Sequence, residues 1–215
     1  MLKGEKLSIL GDSISTYKGV SNDKKANKSI EDNAYFYRPA FPLENTYWAI
    51  LLDKFGMSLC VNNSWSGGNL SGVYDPTSGL NRASELASDD GVTPDVIIVF
   101  MGINDVGRGI DPEIFRRDYQ STLMTVKEKY PLASVCCVNL PDRDIFLKKQ
   151  TEVYNNIIKE ATELAGDKFF VADLFGSRLN NDFYYNNTVD GLHPDQDGMR
   201  IIAEIIEDAI IANLK

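Results

Sequence analysis

The stretch Leu7-Ser8-Ile9-Leu10-Gly11-Asp12-Ser13 decides the fold that we expect for this chain. Its first four residues form a short, mainly apolar run, as expected for a strand that is covered on both faces. Gly11 and Asp12 then favour a turn, which would bring the Ser13 hydroxyl out at the carboxyl end of that strand. In α/β proteins, ligands bind beyond this end of the parallel strands.

The same pattern recurs along the chain, because short apolar runs alternate with longer segments of helical periodicity. The predicted strands are Leu7–Leu10, Leu59–Val61, Val96–Phe100, Ser134–Leu140 and Phe169–Asp173. The predicted helices run from after Asn45 to Gly56, from Pro112 to before Pro131, over about Phe146–Ala165 and over about Asp197–Ala212. This alternation predicts a three-layer α/β/α sandwich with right-handed crossovers.

Length and composition predict one globular domain over residues 1–215, with an elaborated loop at about residues 16–44. The chain carries 22 Lys and Arg against 31 Asp and Glu, a formal net charge of −9. Nucleic acids and anionic membranes are bound by clustered basic residues, so this balance argues against both as partners. We read the acidity as an aid to solubility.

The rest of the composition predicts a cytoplasmic protein without a histidine-rich metal site. The cysteines, Cys60, Cys136 and Cys137, lie in apolar runs and lack the spacing of metal ligands, which favours buried free thiols. The amino terminus leads directly into the first strand, with no room for the apolar core of a signal peptide. A removed leader would instead make the protein a secreted one. No apolar run is long enough to span a bilayer.

A nucleophile and a base for acyl transfer can be proposed from opposite ends of the chain. The single histidine, His193, lies in Asp190-Gly191-Leu192-His193-Pro194, just before the last predicted helix. An imidazole can remove the Ser13 proton at neutral pH, and Asp190, three residues earlier, can orient the imidazole. The alternatives are a turn capped by Asp12 and Ser13, a solvent-facing histidine and an aspartate that caps the helix.

Two further loops could stabilise negative charge on a substrate oxygen. Asn104 follows the third strand in Met101-Gly102-Ile103-Asn104-Asp105, and Gly67 follows the second in Asn63-Ser64-Trp65-Ser66-Gly67-Gly68. Together with the Ser13 N–H, the Gly67 N–H and the Asn104 amide would place three donors around one oxyanion. Ordinary turn chemistry is the alternative at both places.

In order and placement, these motifs resemble the four signature blocks of the SGNH, or GDSL-type, hydrolases. The blocks are Gly11-Asp12-Ser13-Ile14-Ser15, Ser66-Gly67, Gly102-Ile103-Asn104-Asp105 and Asp190-Gly191-Leu192-His193. The resemblance implies a five-stranded parallel sheet in a flavodoxin-like arrangement, with no metal or organic cofactor. It implies Ser13 as nucleophile, His193 as base and Asp190 as the orienting acid, with Ser13, Gly67 and Asn104 as oxyanion donors. Alignment to Ser-Gly favours Gly67 over Gly68 as the donor.

The expected activity is therefore hydrolysis of a small-molecule ester through an acyl-serine intermediate, with a short acyl or acetyl group, carried on a carbohydrate, as the expected substrate. A lysophospholipase or thioesterase with the same triad is one alternative. A non-catalytic carbohydrate-binding protein is another, and a nucleotide binder ranks last because phosphate-binding glycine motifs are missing. Further candidates for substrate contact are Asp12, Trp65, Tyr37 and Arg143.

Overall fold

The fold is built on one parallel sheet of five strands. In the computed structural model, residues 2–21, 34–142, 147–177 and 186–214 are described. The strands are β1 (Lys6–Gly11), β2 (Ser58–Ser64), β3 (Val96–Phe100), β4 (Ser134–Val138) and β5 (Phe169–Ala172). Their order across the sheet is β2-β1-β3-β4-β5, with every neighbouring pair parallel. This order is that of flavodoxin-like folds and confirms the predicted fold class.

Helices cover both faces of the sheet. They are α1 (Tyr47–Phe55), α2 (Gly79–Arg82), α3 (Ile103–Arg108), α4 (Pro112–Lys129), α5 (Lys148–Ala165) and α6 (Gln196–Asn213). The strand order reverses at β1, so right-handed crossovers send α1 to one face and α4 and α5 to the other. Accordingly α1 packs on α6, and α4 packs on α5.

The register of β1 with its two neighbours, β2 and β3, sets the position of the loops. Gly11 of β1 pairs with Ser64 of β2 on one side and with Phe100 of β3 on the other. The chain segments that follow these three residues therefore leave the sheet side by side at its carboxyl edge. Ser13, Gly67 and Asn104 lie two to four residues beyond this edge.

Element boundaries agree with the sequence prediction to within a few residues. The largest difference among the strands is at β2, which runs on to Ser64 instead of ending at Val61. The next is at β4, which ends at Val138 instead of Leu140. The Leu140 N–H and carbonyl are bonded to the side chain of Asn155, at 2.8 and 2.9 Å, instead of to a neighbouring strand. At the start of α1 the capping residue is Thr46 and not Asn45. The Thr46 hydroxyl accepts a hydrogen bond from the Ala49 N–H.

The sequence prediction missed the short helices α2 and α3, and placed Asn104 in a loop although it lies in the first turn of α3. Each is shorter than two turns, so neither shows a readable apolar stripe. The predicted start of α5 at Phe146 lies outside the described residues. In the described ranges, no helix combines the length and the apolar character needed to cross a membrane.

Candidate active site

Ser13 opens a tight turn directly after β1. Residues Ser13–Ser15 form a 3-10 helix, and the Asp12 carboxylate caps it by accepting the Ile14 N–H at 3.0 Å. The turn needs Gly11, because a side chain there would come within 2.5 Å of Ser15 and 2.7 Å of the Ser64 hydroxyl. Asp12 is thus a buried cap, as the turn alternative held, and the turn fixes the Ser13 hydroxyl at the edge of the sheet.

His193 is held by a short hairpin that leads into α6. The Val189 N–H donates to the His193 carbonyl, and the Asp195 N–H donates to the Asn187 carbonyl, both at 2.9 Å. Gly191 turns the hairpin with a φ of 83°. The Asp195 side chain caps α6 by accepting the Gly198 N–H at 2.9 Å. The start of the last helix therefore fixes the backbone that carries the imidazole.

The side chains of Ser13, His193 and Asp190 are joined by two hydrogen bonds, with the imidazole in the middle. His193 Nε2 lies 2.9 Å from Ser13 Oγ, and His193 Nδ1 lies 2.7 Å from Asp190 Oδ2. Ser13 is almost wholly buried, and His193 is 9% exposed. This geometry lets the imidazole take the serine proton while the carboxylate holds the ring in one tautomer.

The Asp190 carboxylate is surrounded by donors. Its Oδ1 accepts the backbone N–H groups of Leu192 (3.0 Å) and His193 (2.8 Å), and its Oδ2 accepts from the imidazole and from the Tyr35 hydroxyl. Burial acts to raise the pKa of Asp190, but these hydrogen bonds outweigh it and hold the pKa well below its usual range. The carboxylate therefore stays ionised at every pH at which an imidazole titrates.

Beside Ser13, the loop after β2 presents a backbone donor. Gly67 has a φ of 74°, a left-handed conformation that favours glycine. The Gly68 N–H is used inside this turn, since it donates to the Trp65 carbonyl at 3.0 Å. No described residue accepts a hydrogen bond from the N–H of Gly67 or of Ser13. Gly67 is thus the better placed of the two glycines to bind a ligand oxygen.

Asn104 links α3 to the glycine loop, the segment after β2 that contains Gly67 and Gly68. Its Nδ2 donates to the Gly68 carbonyl at 2.9 Å, and a primary amide carries a second N–H on the same nitrogen. Gly102, with a φ of 127°, begins the helix and has the ring of Phe115 against it. The contact with Gly68 fixes the amide next to the loop that carries Gly67.

Sequence reasoning missed the role of Asp105 as the support of this loop. Its carboxylate oxygens accept the N–H groups of Leu70 at 2.8 Å and Ser71 at 3.0 Å. Burial raises the pKa of this carboxyl, and the backbone donors act against that rise. Asp105 follows Asn104 directly, which was the only sequence signal for its importance. One short helix therefore places both the amide and the support of the facing loop.

The sequence prediction also missed a buried arginine, Arg82, that is bonded to the end of β1. Arg82 donates from Nη2 to the Gly11 carbonyl at 3.1 Å, from Nη1 to the Asn63 carbonyl and from Nε to the Thr77 carbonyl at 2.8 Å. Its Nη2 also lies 3.5 Å from the Met101 sulfur, just after β3. The guanidinium thus links the carboxyl ends of β1 and β2 and contacts the residue that follows β3.

The residues predicted to contact the substrate differ in how exposed they are, and one of them is not described. Trp65 is partly exposed next to the glycine turn, and Tyr37 is 47% exposed. Arg143 lies outside the described residues. The neighbouring Tyr35, which is not among these candidates, contacts His193 and Asp190. Within the described ranges, no group of three or more His, Cys, Asp or Glu side chains is placed to hold a metal ion.

A serine, a histidine and an aspartate joined in series at the carboxyl edge of a flavodoxin-like sheet define a class of hydrolases that act by acyl transfer. Within that class, the chain belongs to the GDSL-like lipase/acylhydrolase family, whose sequence model matches residues 9–201. It is therefore a carboxylic ester hydrolase. The resemblance inferred from the four sequence motifs is confirmed.

Solved structures with the same fold cover nearly the whole chain. A putative GDSL-like lipase from Bacteroides ovatus is 20% identical, with a TM-score of 0.74 over 98% of this chain and 99% of that one. A carbohydrate esterase family 2 enzyme with a carbohydrate-binding domain, from Corynascus thermopiles, is 19% identical, with a TM-score of 0.65 over 98% of this chain and 66% of that one. The psychrotrophic esterase EstA from Pseudoalteromonas is 16% identical, with a TM-score of 0.64 over 97% of both chains. At these identities the likeness establishes the fold alone, and no curated protein matches the chain.

Proposed function

We propose that this enzyme removes short acyl groups, acetyl above all, from carbohydrate esters, with Ser13 as nucleophile. The observation that carries the proposal is the hydrogen-bonded series Ser13 Oγ, His193 and Asp190, with links of 2.9 and 2.7 Å. Two features support a short acyl group on a polar substrate. The strands on either side of β1 are followed by partly exposed residues, Trp65, Ser66, Gly67 and Asn104, and one structural neighbour is a carbohydrate esterase.

In the first half of the reaction, His193 Nε2 takes the Ser13 proton as the serine oxygen attacks the ester carbonyl. The carbonyl oxygen becomes an oxyanion, for which the donors are the Ser13 N–H, the Gly67 N–H and the second N–H of Asn104 Nδ2. The ionised Asp190 stabilises the imidazolium that forms. The imidazolium then gives its proton to the leaving alcohol, and the carbon–oxygen bond to that alcohol breaks.

In the second half, water attacks the acyl-serine along the same path. His193 takes a proton from the water, and the same donors receive the second oxyanion. The imidazolium returns a proton to Ser13 Oγ as the bond between the acyl carbon and this oxygen breaks. The carboxylic acid leaves, and the enzyme returns to its starting state without any cofactor.

The test begins with Ser13→Ala, assayed on p-nitrophenyl acetate. Because members of such a triad act as a unit, we expect kcat to fall by about 10⁴-fold or more. The matched control is Ser84→Ala, which truncates an exposed serine distant in sequence from the motifs and should leave kcat unchanged. A folded Ser13→Ala variant with undiminished turnover would contradict the assigned nucleophile.

Labelling with a fluorophosphonate tests the same assignment without knowledge of the substrate. We expect one covalent adduct, mapped to Ser13 by mass spectrometry and missing from Ser13→Ala. A non-catalytic carbohydrate-binding protein would bind saccharides but would not be labelled. Absence of labelling in the parent enzyme would therefore favour that alternative.

The acyl preference is tested with p-nitrophenyl esters of increasing chain length and with acetylated oligosaccharides. We expect kcat/KM to be highest for acetate and to fall as the chain lengthens, and we expect acetate release from the acetylated sugars. A maximum at long acyl chains would instead indicate a lysophospholipase or thioesterase. Saccharides that are not acetylated serve as the blank.

A further inference from the structure

Tyr35 covers the imidazole of His193. The two rings are stacked, with centroids 3.4 Å apart and planes inclined by 13°. The Tyr35 hydroxyl donates to Asp190 Oδ2 at 2.7 Å, the same oxygen that pairs with His193 Nδ1. The neighbouring Phe36 presents its ring edge-on to the imidazole at 6.3 Å. One aromatic side chain therefore contacts both the imidazole and the carboxylate that orients it.

The backbone of the aromatic segment, Tyr35-Phe36-Tyr37, is hydrogen-bonded to the turn that carries Ser13 and to the residues that follow it. The Tyr35 N–H donates to the Thr16 hydroxyl oxygen at 2.9 Å, and that hydroxyl donates to the Ser13 carbonyl at 2.8 Å. The Lys18 N–H donates to the Phe36 carbonyl at 2.9 Å. These bonds link the position of the Tyr35 ring to that of the nucleophile.

We propose that Tyr35 is a positioning residue, which holds the His193 ring in the orientation that faces Ser13 and shares the Asp190 carboxylate with it. The proposal rests on the proposed function, in which His193 is the base. The stacked ring restricts rotation of the imidazole and covers one of its faces. The phenol, by donating to Oδ2, reduces the negative charge that this oxygen offers to the imidazole.

The Tyr35 hydroxyl acts as a constant donor. Burial and the neighbouring Asp190 raise the pKa of the phenol, so that it keeps its proton across the range in which an esterase is assayed. Among the described residues, the titratable groups in contact with the imidazole are Asp190 on its own hairpin and Tyr35, and Asp12 lies beside Ser13 on the nucleophile turn. A Tyr35→Phe change removes one donor from this set and keeps the stacked ring.

The single histidine allows a test that does not need activity. In protein purified without a histidine tag, the imidazole proton signals in NMR belong to His193 alone. In Tyr35→Phe the carboxylate loses a donor and stabilises the imidazolium more strongly, so we expect the titration midpoint of His193 to rise by about 0.5–1 pH unit. A midpoint within about 0.2 unit of the parent would overturn the role of the hydroxyl.

Kinetics test the role of the ring. Tyr35→Leu removes the stack, so we expect kcat to fall at least about tenfold with KM nearly unchanged, because the imidazole is no longer held for attack. Tyr35→Phe should restore most of that kcat, with the acidic limb of its pH profile shifted as in the titration. A folded Tyr35→Leu variant with kcat within about twofold of the parent would overturn the positioning role.

Tyr74→Phe and Tyr74→Leu are matched controls, since Tyr74 is 98% exposed. If Tyr35→Leu does not fold, the Tyr35→Phe titration still decides the proposal. Failure of the proposed function is a different result: turnover would then persist in Ser13→Ala, whatever the midpoint of His193.

Discussion

At the scale of single residues, the charge of Asp190 contributes to the stability of the fold and, in the proposed mechanism, to catalysis. Its carboxylate receives four hydrogen bonds, from the two backbone N–H groups, the imidazole and Tyr35. Because its pKa is lower in the folded state than the usual value of about 3.9, ionisation of Asp190 stabilises the fold above that pH. This contribution is lost as the pH falls below about 4 and Asp190 becomes protonated.

Replacement of Asp190 by Asn should therefore have a pH-dependent effect on stability. We expect the melting temperature of Asp190→Asn to lie below that of the parent at neutral pH, and the difference to narrow as the pH falls from about 5 to 3. Thermal unfolding followed by circular dichroism over this range measures it. A difference that grows in acid would contradict the lowered pKa. Asp197→Asn, at an exposed position in the first turn of α6, is the control.

Asn104→Ala tests the side-chain donor to the oxyanion. Removal of one such donor elsewhere costs about 10²–10³ in kcat, and we expect a loss of this size with KM little changed. Steady-state kinetics on p-nitrophenyl acetate measure both constants. Asn213→Ala, at the distant end of α6, should behave like the parent. An equal loss in both kcat/KM and substrate affinity would instead point to a role in ground-state binding.

The sequence carried much of the information at this scale, and its gaps have physical causes. Ser13, Gly67 and Asn104 follow strands that end at one edge, so their proximity could be inferred from the order of motifs. The contact between Tyr35 and His193 spans 158 positions and depends on how the long segment after β1 returns to the site. Aromatic residues in a loop carry no periodicity from which such a contact could be read.

At the scale of elements, α3 and the glycine loop form one unit. Asp105 on α3 accepts two backbone N–H groups of residues 70 and 71, and Asn104 holds the Gly68 carbonyl. The loop after β2 has no regular structure of its own between residues 65 and 78. Its shape therefore depends on the side chains of a helix only six residues long. That dependence could not be read from the sequence, because neither partner shows a periodic pattern.

Asp105→Asn should loosen this unit. An asparagine offers one carbonyl oxygen where two are needed, and its amide would face a backbone N–H that is left without an acceptor. We expect the free energy of unfolding to fall by about 1–3 kcal/mol, accompanied by a lower kcat. Urea unfolding and steady-state kinetics measure these effects.

The control for this change is Asp111→Asn, the same substitution at the exposed cap of α4, where asparagine caps as well as aspartate. It should change neither quantity appreciably. Unchanged stability and kcat in Asp105→Asn would show that the loop holds its shape by other contacts.

At the scale of the whole molecule, the layers and the family could be predicted from features that recur along the chain, and the sheet order from the family resemblance. Apolar runs that alternate with helical segments predicted the layers, and the four motifs predicted the family. The face on which each helix lies follows from the handedness of crossovers once the strand order is known. The length of α6 and the cap at Asp195 were predictable to within one or two residues, because capping depends on local chemistry.

The net charge of −9 leads to a prediction about binding partners. Electrostatic attraction is the main source of non-specific nucleic-acid binding, so we expect no binding to duplex DNA at about 0.1 M salt. Fluorescence anisotropy of a labelled duplex measures this, with a basic DNA-binding protein as the positive control. A dissociation constant tighter than about 10⁻⁴ M would reveal a basic patch that the composition conceals.

The contacts of Arg82 indicate which positions tolerate substitution and which do not. Its guanidinium donates to backbone carbonyls at the ends of two strands and to that of Thr77, so truncation of Arg82 would leave buried carbonyls without their donor. A side chain at Gly11 would clash with Ser15 and Ser64, and the side chain of residue 63 bonds both to Arg82 and to the Glu85 carbonyl. Mutational libraries directed at residues 11, 63 and 82 should therefore yield mostly unfolded proteins. Libraries directed at Trp65 and Tyr37, whose side chains are accessible, should yield folded enzymes, and under the proposed function some of these should have an altered ester preference. These two positions are therefore the place to seek new substrates by directed evolution.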